Sequence, residues 1–115
     1  MTALEVIRDV DGKMHNVYTQ QQKLDWLSRA EGMVLELLAR SGEKPEAAEI
    51  TADTALSAPA PYDALYGRWL EAQIHYASQE YLKFNNAMAL FSSLWQAYSN
   101  FVRRGAAPVG RRRFF

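Results

Sequence analysis

The most adhesive side chains in this sequence stand at its end, in RGAAPVGRRRFF. Arg111, Arg112 and Arg113 are three permanent cations whose forked donors match phosphates and carboxylates. Phe114 and Phe115 follow directly, and phenylalanine either fills a partner's pocket or stacks on bases. The stretch holds turn-formers, no acidic residue and no helical apolar period, so it is not expected to fold by itself. Three kinds of contact suit it. Arginines neutralise phosphates, as in nucleic-acid binding, but such a site needs a groove or patch behind it, and the chain's formal net charge is +0. A membrane-surface anchor of this length is weak without a lipid chain. Docking of an extended arm, with phenylalanines as anchors and arginines paired to carboxylates, fits best.

Elsewhere the chemistry is sparse. Glu31 stands on an apolar stripe between Leu27 and Val34. A catalytic acid there would need a second polar partner, and none lies nearby in sequence. The expectation is a structural buried polar contact, made to an arginine or a tyrosine, with Gly32 letting another backbone approach closely. His15 and His75 lie on different elements, and neither has a second histidine at ligand spacing. With no cysteine, thiolate catalysis, cysteine metal sites and disulfides are excluded. No phosphate loop, nucleophile elbow or HExxH pattern occurs, and the carboxylates are scattered. The chain is therefore not read as an enzyme, and no catalytic, cofactor or metal residue is expected.

The elements that must position these residues are mainly helical. In MTALEVIRDVDGKMHNVY, Leu4, Val6 and Val10 alternate, and Asp11-Gly12 is a two-residue hairpin signal. This predicts an extended or β-hairpin N-terminal arm over 1–18. Leu24, Leu27, Val34 and Leu38 predict a helix over 19–41, capped by Thr19 and closed by Gly42. Residues 42–60 read as a linker punctuated by Pro45 and Pro59, with Ile50 and Leu56 pinning it to the core. Residues 61–104 read as a helical hairpin. Pro61 suits its first helical position, and Asp63 its positive first turn. Tyr62, Leu65, Tyr66, Trp69, Leu70, Gln73 and Ala77 form one stripe. Tyr81, Phe84, Met88, Phe91, Trp95, Tyr98 and Val102 form a packing seam at alternating steps of three and four. A continuous helix here would be about 60 Å long, so a turn is expected near Ala77–Glu80, with Ser78 capping the second helix. Gly105 and Pro108 stop it.

The fold class expected is thus mainly α. It is a three-helix bundle with an extended or β-hairpin N-terminal segment, followed by an extended C-terminal tail. One helical domain covers 1–104 and a docking arm covers 105–115. The core expected is Leu27, Val34, Leu38, Leu65, Trp69, Phe84, Met88, Phe91, Trp95 and Tyr98. A chain of 115 residues makes one domain that buries roughly two-thirds of its unfolded surface.

The zero net charge hides polarity. Residues 1–80 hold all thirteen acidic residues and seven basic ones, a net of −6, while residues 81–115 hold six basic residues and no acid. Such polarity suits head-to-tail contact between copies, or a basic end meeting an acidic partner. The start MTALEVIRDVDG, charged from Glu5 onward, shows no leader pattern, and no apolar run approaches the roughly 20 residues of a membrane span. A reducing, cytoplasmic-type interior and no membrane partner are expected.

The segment PYDALYGRWLEAQIHYASQEYLKFNNAMALFSSLWQAYSNFVRR resembles the head–tail connector, or adaptor, proteins of tailed bacteriophages and prophages. The resemblance rests on PYDALY, LEAQIHYA and YLKFNNAMALFSSLWQAY. It covers residues 61–104 well, TQQQKLDWLSRAEG less well and the termini poorly. It implies a virion structural protein at the head–tail interface, assembled in the host cytoplasm. It implies a ring on the portal protein, twelve-fold in such adaptors, which extends the DNA channel and meets the next neck or tail protein. DNA would pass without sequence-specific binding. The resemblance would give portal docking to Arg111, Arg112, Arg113, Phe114 and Phe115. The alternatives are a small DNA-binding or packaging accessory protein using the basic C-terminus, and a capsid-decorating or scaffolding-like helical module.

Overall fold

The structure, a computed structural model, describes residues 1–40 and 49–106. Its first element corrects the expectation for the N-terminus. Residues Ala3–Lys13 form a helix, α1, not a hairpin or an extended arm. The cause is a capping box. The Thr2 hydroxyl accepts the Glu5 amide at 3.2 Å, and the Glu5 carboxylate accepts the Thr2 amide at 2.7 Å. Ala3, Val6, Ile7 and Val10 then fall on one helical face, and all four are buried. The alternating reading had left Ile7 without a role. Asp11-Gly12 lies in the last helical turns, so its hairpin signal is overruled by the burial of that face.

α2 spans Gln20–Arg40. Thr19 caps it as expected: its hydroxyl accepts the Gln22 amide at 3.1 Å, and its own amide donates to the Gln22 side chain at 2.8 Å. Gly42, the expected stop, lies outside the described residues. Gly32 departs from expectation. It is exposed, and a Cβ added there would meet nothing within 4 Å, so among the described residues no backbone approaches it.

Residues 49–63 form a strap across the start of α1. Thr54 and Ala52 carbonyls accept the Ala3 and Leu4 amides at 3.0 and 2.9 Å, and Met1 accepts the Leu56 amide at 2.9 Å. With Thr2, the strap satisfies amides that the first turn of a helix cannot pair internally. Thr2 and Ala55 form an isolated antiparallel bridge. Leu56 is buried and Ile50 is partly buried against the core.

α3 spans Ala64–Ala77 and α4 spans Tyr81–Ala106. Asp63 precedes α3 and makes no side-chain cap bond, and Pro61 lies in the turn before it rather than at a first helical position. The turn falls at Ala77–Glu80, as expected. Ser78, however, ends α3 instead of starting α4. The Gln79 amide bonds the Tyr76 carbonyl at 3.0 Å and the Glu80 amide bonds that of His75 at 2.8 Å, the pairing of a Schellman stop. Gln79 takes the left-handed conformation this stop requires, with φ of 60°. Gly105 does not stop α4, which includes it and Ala106. Pro108 lies outside the described residues.

The fold is therefore mainly α, with four helices among the described residues rather than three. α3 is the central one. It packs on α4, α1 and α2, while α2 also meets α4 and α1 does not. Trp69 reaches across, its indole N–H donating to the Trp26 carbonyl at 2.8 Å and its ring lying 5.2 Å from Phe91.

Candidate partner-docking surface

α4 has two faces. The seam read from the sequence is the inner one. Phe91, Tyr98 and Val102 are buried, and Met88 and Trp95 are partly buried against the same core. Leu27, Val34 and Leu65 join them fully buried, with Leu38 and Trp69 partly buried. The start of the seam departs from expectation. Tyr81 is exposed, and Phe84 is only half-buried and lies outside the core cluster. Their rings gather instead around Tyr76, 5.6 and 5.1 Å away, beside the turn. At that end α3 is finishing, and among the described residues neither ring joins the core cluster.

The outer face was missed by the sequence reading. Leu82, Asn86, Leu90, Ser93, Ala97, Phe101 and Arg104 recur at steps of three and four, so they share a stripe. All seven are exposed, and Leu82, Leu90 and Phe101 are 75%, 49% and 44% exposed. From Phe84 to Val102 the helix holds no charged residue. Solvent-facing helical surfaces ordinarily carry charges. The signal was present in that uncharged run, but the stronger inner seam hid it.

The ends of α4 are electrostatically distinct. At its start Glu80 accepts from Lys83 at 3.1 Å and sits 3.3 Å from the His75 ring. The Lys83 ammonium, and after it the His75 ring, hold the Glu80 carboxyl below its usual range. At its end Arg103 and Arg104 are exposed and form no ion pair among the described residues. Two cations in the last turn also oppose the negative end of the helix dipole.

Glu31 is a separate, internal site. It is buried and its carboxylate accepts four hydrogen bonds from three donors. Tyr66 and Ser57 hydroxyls donate at 2.6 Å each, and the Ser57 amide bridges both oxygens at 3.1 and 3.2 Å. The Tyr66 oxygen in turn accepts the Ala58 amide at 3.0 Å. Burial, reinforced by the Glu31 carboxylate, pushes the Tyr66 phenol far up, so it stays a donor. Every donor here comes from the strap or α3, and the cluster ties both to α2. It is the expected structural contact, with tyrosine as partner.

His15 is exposed, and His75 meets only Glu80 among the contacts described. Among the described residues no group of three metal-ligating side chains forms, and no helix is long and apolar enough to cross a membrane. Arg111, Arg112, Arg113, Phe114 and Phe115 lie outside the described residues. No family model, no curated protein and no solved structure matches this chain.

Proposed function

We propose that this chain is a structural protein of a tailed-phage particle: a head–tail connector that assembles as a ring on the portal vertex and extends the DNA channel. The outer face of α4 is the observation that carries this reading. A 26-residue helix with an uncharged middle and exposed Leu82, Leu90 and Phe101 is suited to lie against another protein chain. The adaptor-like segment, residues 61–104, coincides with α3, α4 and their turn, which adds support. The basic arm follows α4 directly, so an arm seated on a larger assembly would tether this helix to it.

In this reading Arg111, Arg112, Arg113, Phe114 and Phe115 dock on the portal protein, and an exposed part of the ring receives the next neck or tail protein. DNA passes through without sequence-specific contact. The site of action is the virion's head–tail interface, reached by assembly in the host cytoplasm.

The test is light-scattering mass after size exclusion, with a candidate portal mixed with the full chain or with a chain lacking residues 109–115. The full chain is expected to join the portal, and the truncated chain to remain free. Equal capture of both would overturn docking by the arm. If neither binds, and the full chain retains duplex DNA in a way that weakens steeply from low to physiological salt, the DNA-accessory reading replaces this one.

A further inference from the structure

We infer that the outer face of α4 and the acidic strap of residues 49–63 are the two halves of one head-to-tail interface between copies of this chain. The inference rests on the self-assembling part of the function proposed above, and names the surfaces that would do it.

Charge is the first argument. α4 carries Lys83, Arg103 and Arg104 and no carboxylate. The strap carries Glu49, Asp53 and Asp63 and no cation. The two elements touch within one copy, where Tyr62 of the strap packs its ring 5.4 Å from Tyr98 and 5.0 Å from Phe101. Even so, among the described residues none of these three strap acids forms an ion pair, and neither do the two arginines. Several other charges are matched among themselves: Asp9 with Lys13, Asp11 with Lys23, Glu36 with Arg40, and Glu71 with Arg68. Arg8, Asp25 and Arg29 on α1 and α2 also form no ion pair among the described residues, but on the strap and the end of α4 the unmatched charges are of opposite sign, which is the complementarity a contact between copies would use.

Shape is the second argument. On the outer stripe Leu82, Leu90 and Phe101 project while Ser93 and Ala97 leave space between them. That alternation lets another element lie close along the helix. Because the two surfaces differ, each copy offers one of each. Repeating the contact gives a closed ring when the rotation closes, and a filament otherwise.

Size sets the strength. α4 is about 39 Å long, and a strip of that length about 10 Å wide offers roughly 400 Å² per copy, half of what a stable interface uses. Association without a template is thus expected to be weak and concentration-dependent.

The experiment is sedimentation velocity on the full chain over a concentration series up to its solubility limit. Three variants accompany it: Arg103→Glu with Arg104→Glu, Glu49→Lys with Asp53→Lys, and Ser93→Glu. All five positions are exposed, and circular dichroism melts check that each variant is folded. The mass of the unmodified chain is expected to rise with concentration and to stay at the monomer in every variant. An equimolar mixture of the two charge-reversed variants is expected to recover association, because each then meets an opposite charge. If the unmodified chain associates and folded variants associate equally, the contact lies elsewhere, while the proposed function stands on its portal test. If the unmodified chain is a monomer throughout, this interface is overturned, again without deciding portal binding.

Discussion

At the scale of single residues, Glu31 shows how a buried charge becomes tolerable. Its carboxylate is surrounded by donors from Ser57 and Tyr66, and removing one donor leaves a buried carboxylate oxygen short of a partner. Tyr66→Phe would leave both the Glu31 oxygen and the Ala58 amide short of a partner. It is expected to cost about 1–3 kcal/mol of stability, read from urea unfolding midpoints; an unchanged midpoint would show that the cluster contributes nothing. Asp11 supplies the pH-dependent counterpart. It accepts from Lys23 at 2.9 Å and from Asn16 at 3.0 Å, and the Lys23 side chain is only 6% exposed. Burial pushes the Asp11 carboxyl up, but Asn16 and Lys23 together outweigh it and hold it below its ordinary 3.8. A carboxyl lowered in the fold adds stability above its unfolded value and loses it as pH falls through the folded one. Asp11→Asn is thus expected to cost about 1 kcal/mol at neutral pH, limited by the partial exposure of Asp11. The difference from the unmodified chain should shrink as pH drops below 3.8. A gap that stays constant with pH would show that the ion pair is not its source. The kind of partner Glu31 requires was legible from its place on an apolar stripe. The identity of that partner was not, because Ser57 and Tyr66 lie 26 and 35 residues away in sequence.

Elements follow from local signals only where one signal stands alone. Thr19 and the apolar period after it predict α2, and the chain obeys them. In the N-terminal segment two signals compete. Thr2 with Glu5 writes a capping box, while Asp11-Gly12 writes a hairpin turn. The helix wins because it buries Ala3, Val6, Ile7 and Val10 together, and because the strap accepts its first amides. A two-stranded hairpin would have buried less and left an edge unpaired. Gly32 illustrates a local cost without a local purpose. It is exposed, inside α2, with open space where a side chain would be. Gly32→Ala is expected to stabilise the fold by about 0.5–1 kcal/mol. The thermal midpoint should rise accordingly, and a fall would mean that something packs there in solution.

For the whole molecule, the described residues build a core among themselves. Its cluster runs from Ala3 to Val102, with α3 in the middle. Deleting residues 109–115 is therefore expected to leave the unfolding midpoint unchanged within about 0.5 kcal/mol. A large loss would show that the arm packs on its own bundle, and would weaken the docking proposal.

The sequence by itself determined the helical class, the inner seam of α4 and the turn after Ala77, because apolar period and chain length act within a segment. It also set the polarity of charge from one end to the other. Only the tertiary structure decided that the first segment is a helix, that Glu31 meets Tyr66 and Ser57, and that the uncharged outer face of α4 stays exposed. Those outcomes depend on which surfaces remain after every element has chosen its partner. That choice is made by burial and hydrogen-bond satisfaction across tens of residues, where local pattern has no reach.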